Sequence, residues 1–203
     1  MANEDKSSIE QSIREAFETA SRLQKGTEAT ATLLANWMES PLGPLLAVGD
    51  DEHLHLLCYV DQTSLVRKAA LVQKSLRADI KPGDSASVDQ AFRELKEYFA
   101  GERKEFETPL SLKGSAFQLR VWEELRRIPY GTTISYADLA GKIGRPAAFR
   151  AVAQANAQNP IAIIVPCHRV INANGGLGGY NSGVNKKQQL LDFEKSTLEK
   201  GTR

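Results

Sequence analysis

Only two of the 203 residues are cysteine, Cys58 and Cys167, and only three are histidine. Two thiols are too few for a disulfide scaffold or a cysteine-rich zinc site, so a reducing compartment is expected and any thiol chemistry falls to one residue. Long hydrophobic runs are also missing. No apolar stretch approaches the ~20 residues needed to span a bilayer, and mean hydropathy is −0.36. Met1 to Ser8 is polar and acidic, without the apolar segment of a secretory signal. These absences predict a soluble, cytoplasmic protein with no membrane partner. A hydrophobic share of 41% over this length still suffices for packed cores in one large or two small domains.

The overall formal charge of +1 hides an asymmetry. Residues 1–112 carry 13 Lys and Arg against 19 Asp and Glu, whereas residues 113–203 carry 13 against 6. The C-terminal half therefore has a net charge of +7 and the N-terminal half −6. A basic half suits a polyanion such as nucleic acid, although such a surplus also serves as an ordinary solvated surface.

Four segments follow from local patterns: an extension over 1–30, an α/β domain over 31–112, a second domain over 113–197 and a tail over 198–203. In the first, Ile9, Ile13, Phe17 and Ala20 fall at helical spacing before Gly26. Extended stretches at 32–38, 45–48 and 53–60, separated by Pro- and Gly-containing turns, predict an antiparallel meander. A helix is expected over 65–76, broken at Lys81-Pro-Gly-Asp84, and Ser87 with Gln90 reads as the capping box of the next.

The second domain opens with another capping box, Ser115 and Gln118, ahead of Phe117, Val121, Trp122 and Leu125 on one helix face. Ser135 and Asp138 cap a short helix to Ile143, Gly144-Arg-Pro146 makes a turn, and residues 147–156 form a second short helix. Two short helices about a Gly-containing turn make a helix-turn-helix. Its second helix carries Ala147, Ala148, Ala151, Ala153 and Ala155 around Arg150. It either packs closely on its neighbours or enters a narrow groove.

Beyond Asn159-Pro160, the run at 161–165 reads as a buried strand leading into Pro166-Cys-His-Arg-Val170. A thiol with its ordinary pKa of about 8.5 is only a few per cent thiolate at neutral pH, and an imidazole can correct that. A bare Cys-His pair is as readily structural, since successive extended side chains point apart.

These motifs, in order with Arg150-Ala-Val152, Asn159-Pro160, Gly178-Gly-Tyr180, Lys187, Leu190-Leu191 and Glu194, resemble the O6-alkylguanine-DNA alkyltransferases. The resemblance spans about residues 113–195, and residues 31–112 match in length and general pattern. It implies an α+β fold: an RNase H-like N-terminal domain with a small antiparallel sheet and helices, then a mostly helical, winged helix-turn-helix-like domain bearing the reactive cysteine. It implies a monomeric repair protein that flips O6-alkylguanine out of double-stranded DNA and moves the alkyl group to its own Cys167, once per molecule. His168 would be the base through a bridging water, and Glu194 would orient it. Tyr136 would donate a proton to the departing guanine, and Asn159 would brace the turn. Arg150 would be the finger that replaces the flipped base, with Ala148 and Ala151 lining the minor groove. Val170, Gly178, Tyr180, Asn181 and Lys187 would surround the base pocket. Asn181 stands where some relatives carry serine, so the contact to the alkylated oxygen would come from its backbone amide or its side chain. No metal and no cofactor is implied: His53, His55 and Cys58 cluster in sequence, but the cysteine would face away from the histidines. Arg169 is expected in a structural ion pair rather than on a phosphate. Three other functions compete with this one: a lesion reader that transfers nothing, a helix-turn-helix regulator with a sensing cysteine, and a cysteine hydrolase. Lesion readers resembling the family lack the acceptor cysteine, and no sensor domain accompanies this one.

Overall fold

The three expected strands form as β1 (Ala31–Met38), β2 (Leu45–Gly49) and β3 (Leu54–Tyr59), paired antiparallel in sequence order. The computed structural model describes residues 2–23, 28–60 and 62–201. It divides into two compact units, residues 1–99 with 107–113, and residues 100–106 with 114–203.

In the first unit a fourth strand, β4 (Ala78–Pro82), pairs in parallel with β1, so the sheet is mixed rather than antiparallel. The crossover between β3 and β4 is α2 (Gln62–Leu76), as a parallel neighbour requires. Ala78 and Ile80 are buried while Asp79, Lys81 and Pro82 are exposed, so Lys81-Pro82 ends an edge strand instead of only breaking a helix. Helix α1 (Ala2–Arg22) is built into this unit. Its Ile13, Ala16, Phe17 and Ala20 join Leu33, Leu46, Val48, Leu56, Leu65, Ala69 and Ile80 in one apolar cluster. Gly26 lies outside the described residues. The capping box expected at Ser87 does not form. Helix α3 (Ala86–Ala100) starts two residues earlier than that cap would place it, Ser87 is buried with its hydroxyl donating to Asp50 O, and Asp51 Oδ1 accepts from Ala86 N. His55 Nε2 donates to Asp50 Oδ2, 2.9 Å away, and no cluster of three or more potential metal ligands occurs among the described residues.

The second unit follows its capping boxes closely. Ser115 and Gln118 open α4 (Ala116–Arg126), and Ser135 and Asp138 open α5 (Tyr136–Lys142), with both reciprocal bonds present in each. Gly144 takes φ 69°, the left-handed conformation that a chain reversal between helices needs. A 3-10 turn at Pro146–Ala148 then leads into α6 (Phe149–Ala157). Trp122 of α4 donates its indole N–H to Ala155 O, fixing α4 against α6. Strands β5 (Ile134–Ser135) and β6 (Val170–Ile171) make a short parallel pair. Helix α7 (Val184–Gly201) extends past residue 197 into the expected tail, as far as the described residues reach. No helix among the described residues is long and apolar enough to cross a membrane.

Candidate functional site

The buried run at 161–165 is a turn, not a strand. Val165 N bonds back to Ile161 O and Ile164 N to Ala162 O, and Ile163 sits at φ 68°. A β-branched residue in that region is strained and persists only when its surroundings hold it. Asn159 supplies the restraint: its Nδ2 donates to Ile161 O and Val165 O, and its Oδ1 accepts from Ile161 N. Apolar composition and burial suit a strand and a packed turn equally, which is why the periodicity misleads here.

The turn delivers Cys167–Arg169 as one 3-10 turn, so thiol, imidazole and guanidinium leave the backbone in three directions. Cys167 retains 6% of its exposure and is not in a disulfide. His168 is fully buried. Its Nε2 lies 2.8 Å from Glu194 Oε1, and its Nδ1 has no hydrogen-bond partner among the described residues. Glu194, on α7, also accepts from both Arg169 Nε and Nη2 and from Gly131 N. Arg169 is completed by Ile128 O, so it is the buried ion-pair partner that was expected.

Burial would raise the Glu194 carboxyl, but hydrogen bonds and charge from His168 and Arg169 outweigh it and bring the pKa down to about 2. Burial depresses the His168 imidazole below its ordinary 6.5, against the pull of Glu194. The site thus holds a neutral imidazole anchored to a fixed carboxylate, with one ring nitrogen left to take a proton.

Tyr136, half-buried at the start of α5, has its pKa raised by burial and by the neighbouring Cys167, with Asn156 opposing. A raised pKa keeps the phenol protonated, as a proton donor must be. Lys187 of α7 is fully buried. Its ammonium donates to Val170 O and Leu177 O and lies 5.8 Å from the centre of the Tyr136 ring. Burial lowers its pKa to about 8, with Cys167 opposing. Gly178 takes φ 68°, and a Cβ there would come within 3.0 Å of Tyr136 Cε2, so only glycine lets this loop lie against the phenol. Val170 is buried beside the cysteine turn, and Tyr180 is half-buried. The Asn181 side-chain amide donates to Ala157 O.

On the helix-turn-helix, Arg150 and Ala151 are exposed and Ala148 is half-buried. Arg150 forms no salt bridge among the described residues, so its charge is available to a polyanion.

Asn156 was not singled out from the sequence. It is buried on α6, donates from Nδ2 to Cys167 O, and opposes the rise of the Tyr136 pKa. Its signal was the spacing Val152, Ala155, Asn156, Asn159, which puts a polar side chain on the inward face of an amphipathic helix.

Residues 116–196 match the 6-O-methylguanine DNA methyltransferase DNA binding domain, and residues 33–112 match that family's ribonuclease-like domain. The methylated-DNA--protein-cysteine methyltransferase of Mycobacterium leprae is 48% identical over 158 residues, 78% of this chain and 90% of the relative. The constitutive enzyme of that name from Bacillus subtilis is 43% identical, over 77% of this chain and 92% of its own. A crystal structure of Mycobacterium tuberculosis OGT in complex with DNA superposes with a TM-score of 0.70 at 45% identity, covering 81% of this chain and 94% of that one. On these matches, which take in both halves of the chain, the protein belongs to the 6-O-methylguanine DNA methyltransferase family.

Proposed function

We propose that this protein repairs O6-alkylguanine in double-stranded DNA by moving the alkyl group to the sulfur of Cys167, in a single irreversible turnover. The observation that carries this reading is the buried His168–Glu194 pair on the residue that follows the thiol in the chain, with Nδ1 of the imidazole left to accept a proton.

The damaged guanine is extruded through the minor groove, where the small Ala148 and Ala151 let α6 approach and Arg150 fills the vacated place. Opening a stack costs a few kcal/mol, and less at a badly paired lesion, so damaged sites are favoured. In the pocket, His168 takes the proton of Cys167, through a bridging water. Cys167 Sγ then attacks the alkyl carbon in line, the carbon–O6 bond breaks, and its electron pair passes into the purine. Tyr136 gives the purine a proton, and the proton taken from the thiol restores the balance. The products are a thioether and an unmodified guanine. No group in the site can hydrolyse a thioether, so the sulfur is spent. Glu194 keeps the imidazole oriented and stabilises its charged form, the role of the third member in other activated nucleophiles. Asn159 fixes the turn, while Val170, Gly178, Tyr180 and the Asn181 backbone amide line the pocket. Lys187 holds the wall by two carbonyls and favours the thiolate. Transfer needs no partner copy, and a monomer suffices.

Incubation with a duplex containing O6-methylguanine should add one methyl mass, located on the peptide holding Cys167. Repaired DNA beside unmodified Cys167 would refute the assignment.

A further inference from the structure

Phe149 precedes Arg150 on α6, and none of the steps above uses it. Of the seven phenylalanines it is the only exposed one, at 46%. A single exposed apolar side chain is ordinary on a protein surface. Its surroundings here are not. Ala147, Ala148 and Ala151 flank it, so within residues 147–151 only Phe149 and Arg150 project beyond a low alanine surface. The Arg150 guanidinium lies 5.7 Å from the Phe149 ring centre. That is within the range of a cation–π contact, which holds the guanidinium beside the ring.

We propose that Phe149 and Arg150 work as a paired wedge: the phenyl ring enters the minor groove at the base step beside the lesion and unstacks it, while Arg150 takes the vacated position. The proposal rests on the reading that α6 meets the duplex. The minor groove is about 6 Å wide and poor in sequence information, and apolar side chains that enter it act by prising base steps apart. A guanidinium can itself stack on a base, and a phenyl ring beside it covers further apolar base surface that extrusion exposes to water. Phe149 would therefore lower the cost of extrusion and make no difference once the base is out.

The test compares the wild type with Phe149→Ala and Phe149→Leu on three substrates: a duplex with O6-methylguanine next to 2-aminopurine, the same strand unpaired, and O6-benzylguanine as the free base. Phe149→Ala should repair the duplex about tenfold more slowly, near the low end of what one aromatic contact to a base supplies. It should also brighten 2-aminopurine less on binding, while reacting at wild-type rates with the single strand and the free base. Phe149→Leu should retain most duplex activity, because a wedge needs apolar bulk rather than aromaticity. Wild-type duplex repair and full brightening by Phe149→Ala would overturn the wedge, as would equal slowing on the free base or a leucine variant as slow as alanine. If the wild type itself left Cys167 unalkylated on all three substrates, the transfer reading would fail instead, and the brightening would still judge the wedge.

Discussion

Replacing Glu194 with Gln removes the anion on which three partners converge. Its two oxygens accept from His168 Nε2 at 2.8 Å, Arg169 Nη2 at 2.9 Å, Arg169 Nε at 3.0 Å and Gly131 N at 2.9 Å. An amide presents an NH2 to at least one of these donors, and Arg169 is left buried without a counter-charge. The drop of the carboxyl pKa from 4.5 to about 2 corresponds to about 3 kcal/mol of folding stability. Breaking a buried ion pair by removing one partner typically costs about 3–5 kcal/mol, so two independent routes agree. The folded-state value lies below the unfolded one. The contribution is therefore complete above about pH 4.5 and is lost as pH falls through about 2. His168 acts earlier: its imidazole is depressed by burial, so the unfolded chain takes the proton first and stability declines as pH drops below about 6.5. Urea unfolding across pH 2 to 8 should show the wild type losing stability in both windows. Glu194→Gln should start about 3 kcal/mol lower, keep the first loss and show a shallower second one, the remainder coming from Asp50, Glu94 and Asp138, whose carboxyls are also held below their ordinary values. Methyl transfer should slow by roughly a hundredfold or more, the lower range for a general base deprived of support. A variant within 1 kcal/mol of the wild type at pH 7, or one with an unchanged acid limb, would refute the reasoning.

Two further outcomes follow from the site. Arg150→Ala should slow repair of duplex DNA far more than reaction with a free guanine analogue, and equal slowing in rate assays on both substrates would return the residue to folding or chemistry. Lys187→Met should flatten the alkaline limb: the folded ammonium titrates near 8 and the unfolded one near 10.5, so wild-type stability rises with pH across that window and the variant's should not, as read from urea midpoints.

The parts of the fold that the sequence announces are those with local, directional chemistry. Ser115 with Gln118 and Ser135 with Asp138 place two helix starts to the residue, because a cap is satisfied by atoms three positions away. Ser87 with Gln90 carries the same spacing and fails, because Asp51 from a distant turn already serves the helix start and Asp50 captures the hydroxyl. Strand β4 escaped notice because its five residues expose Asp, Lys and Pro and acquire meaning only beside β1. At the site, the order of Cys167, His168 and Glu194 was legible through family resemblance. The folding of 161–165 into a turn was not, since the bonds that dictate it come from the Asn159 side chain rather than from hydrophobic periodicity. Asn156 stayed hidden for a related reason: one polar residue inside an alanine helix shows its purpose only when the backbone it serves is in view.

The family pattern begins at residue 33, yet Ile13, Ala16, Phe17 and Ala20 of α1 sit in the same cluster as Leu46, Val48 and Leu56. Anyone trimming a gene fragment to the recognised family borders would strip those four side chains from that hydrophobic cluster. The resulting polypeptide would present bare aliphatic surface to its neighbours, and its poor behaviour in the test tube would say nothing about the thiol at the other end of the chain.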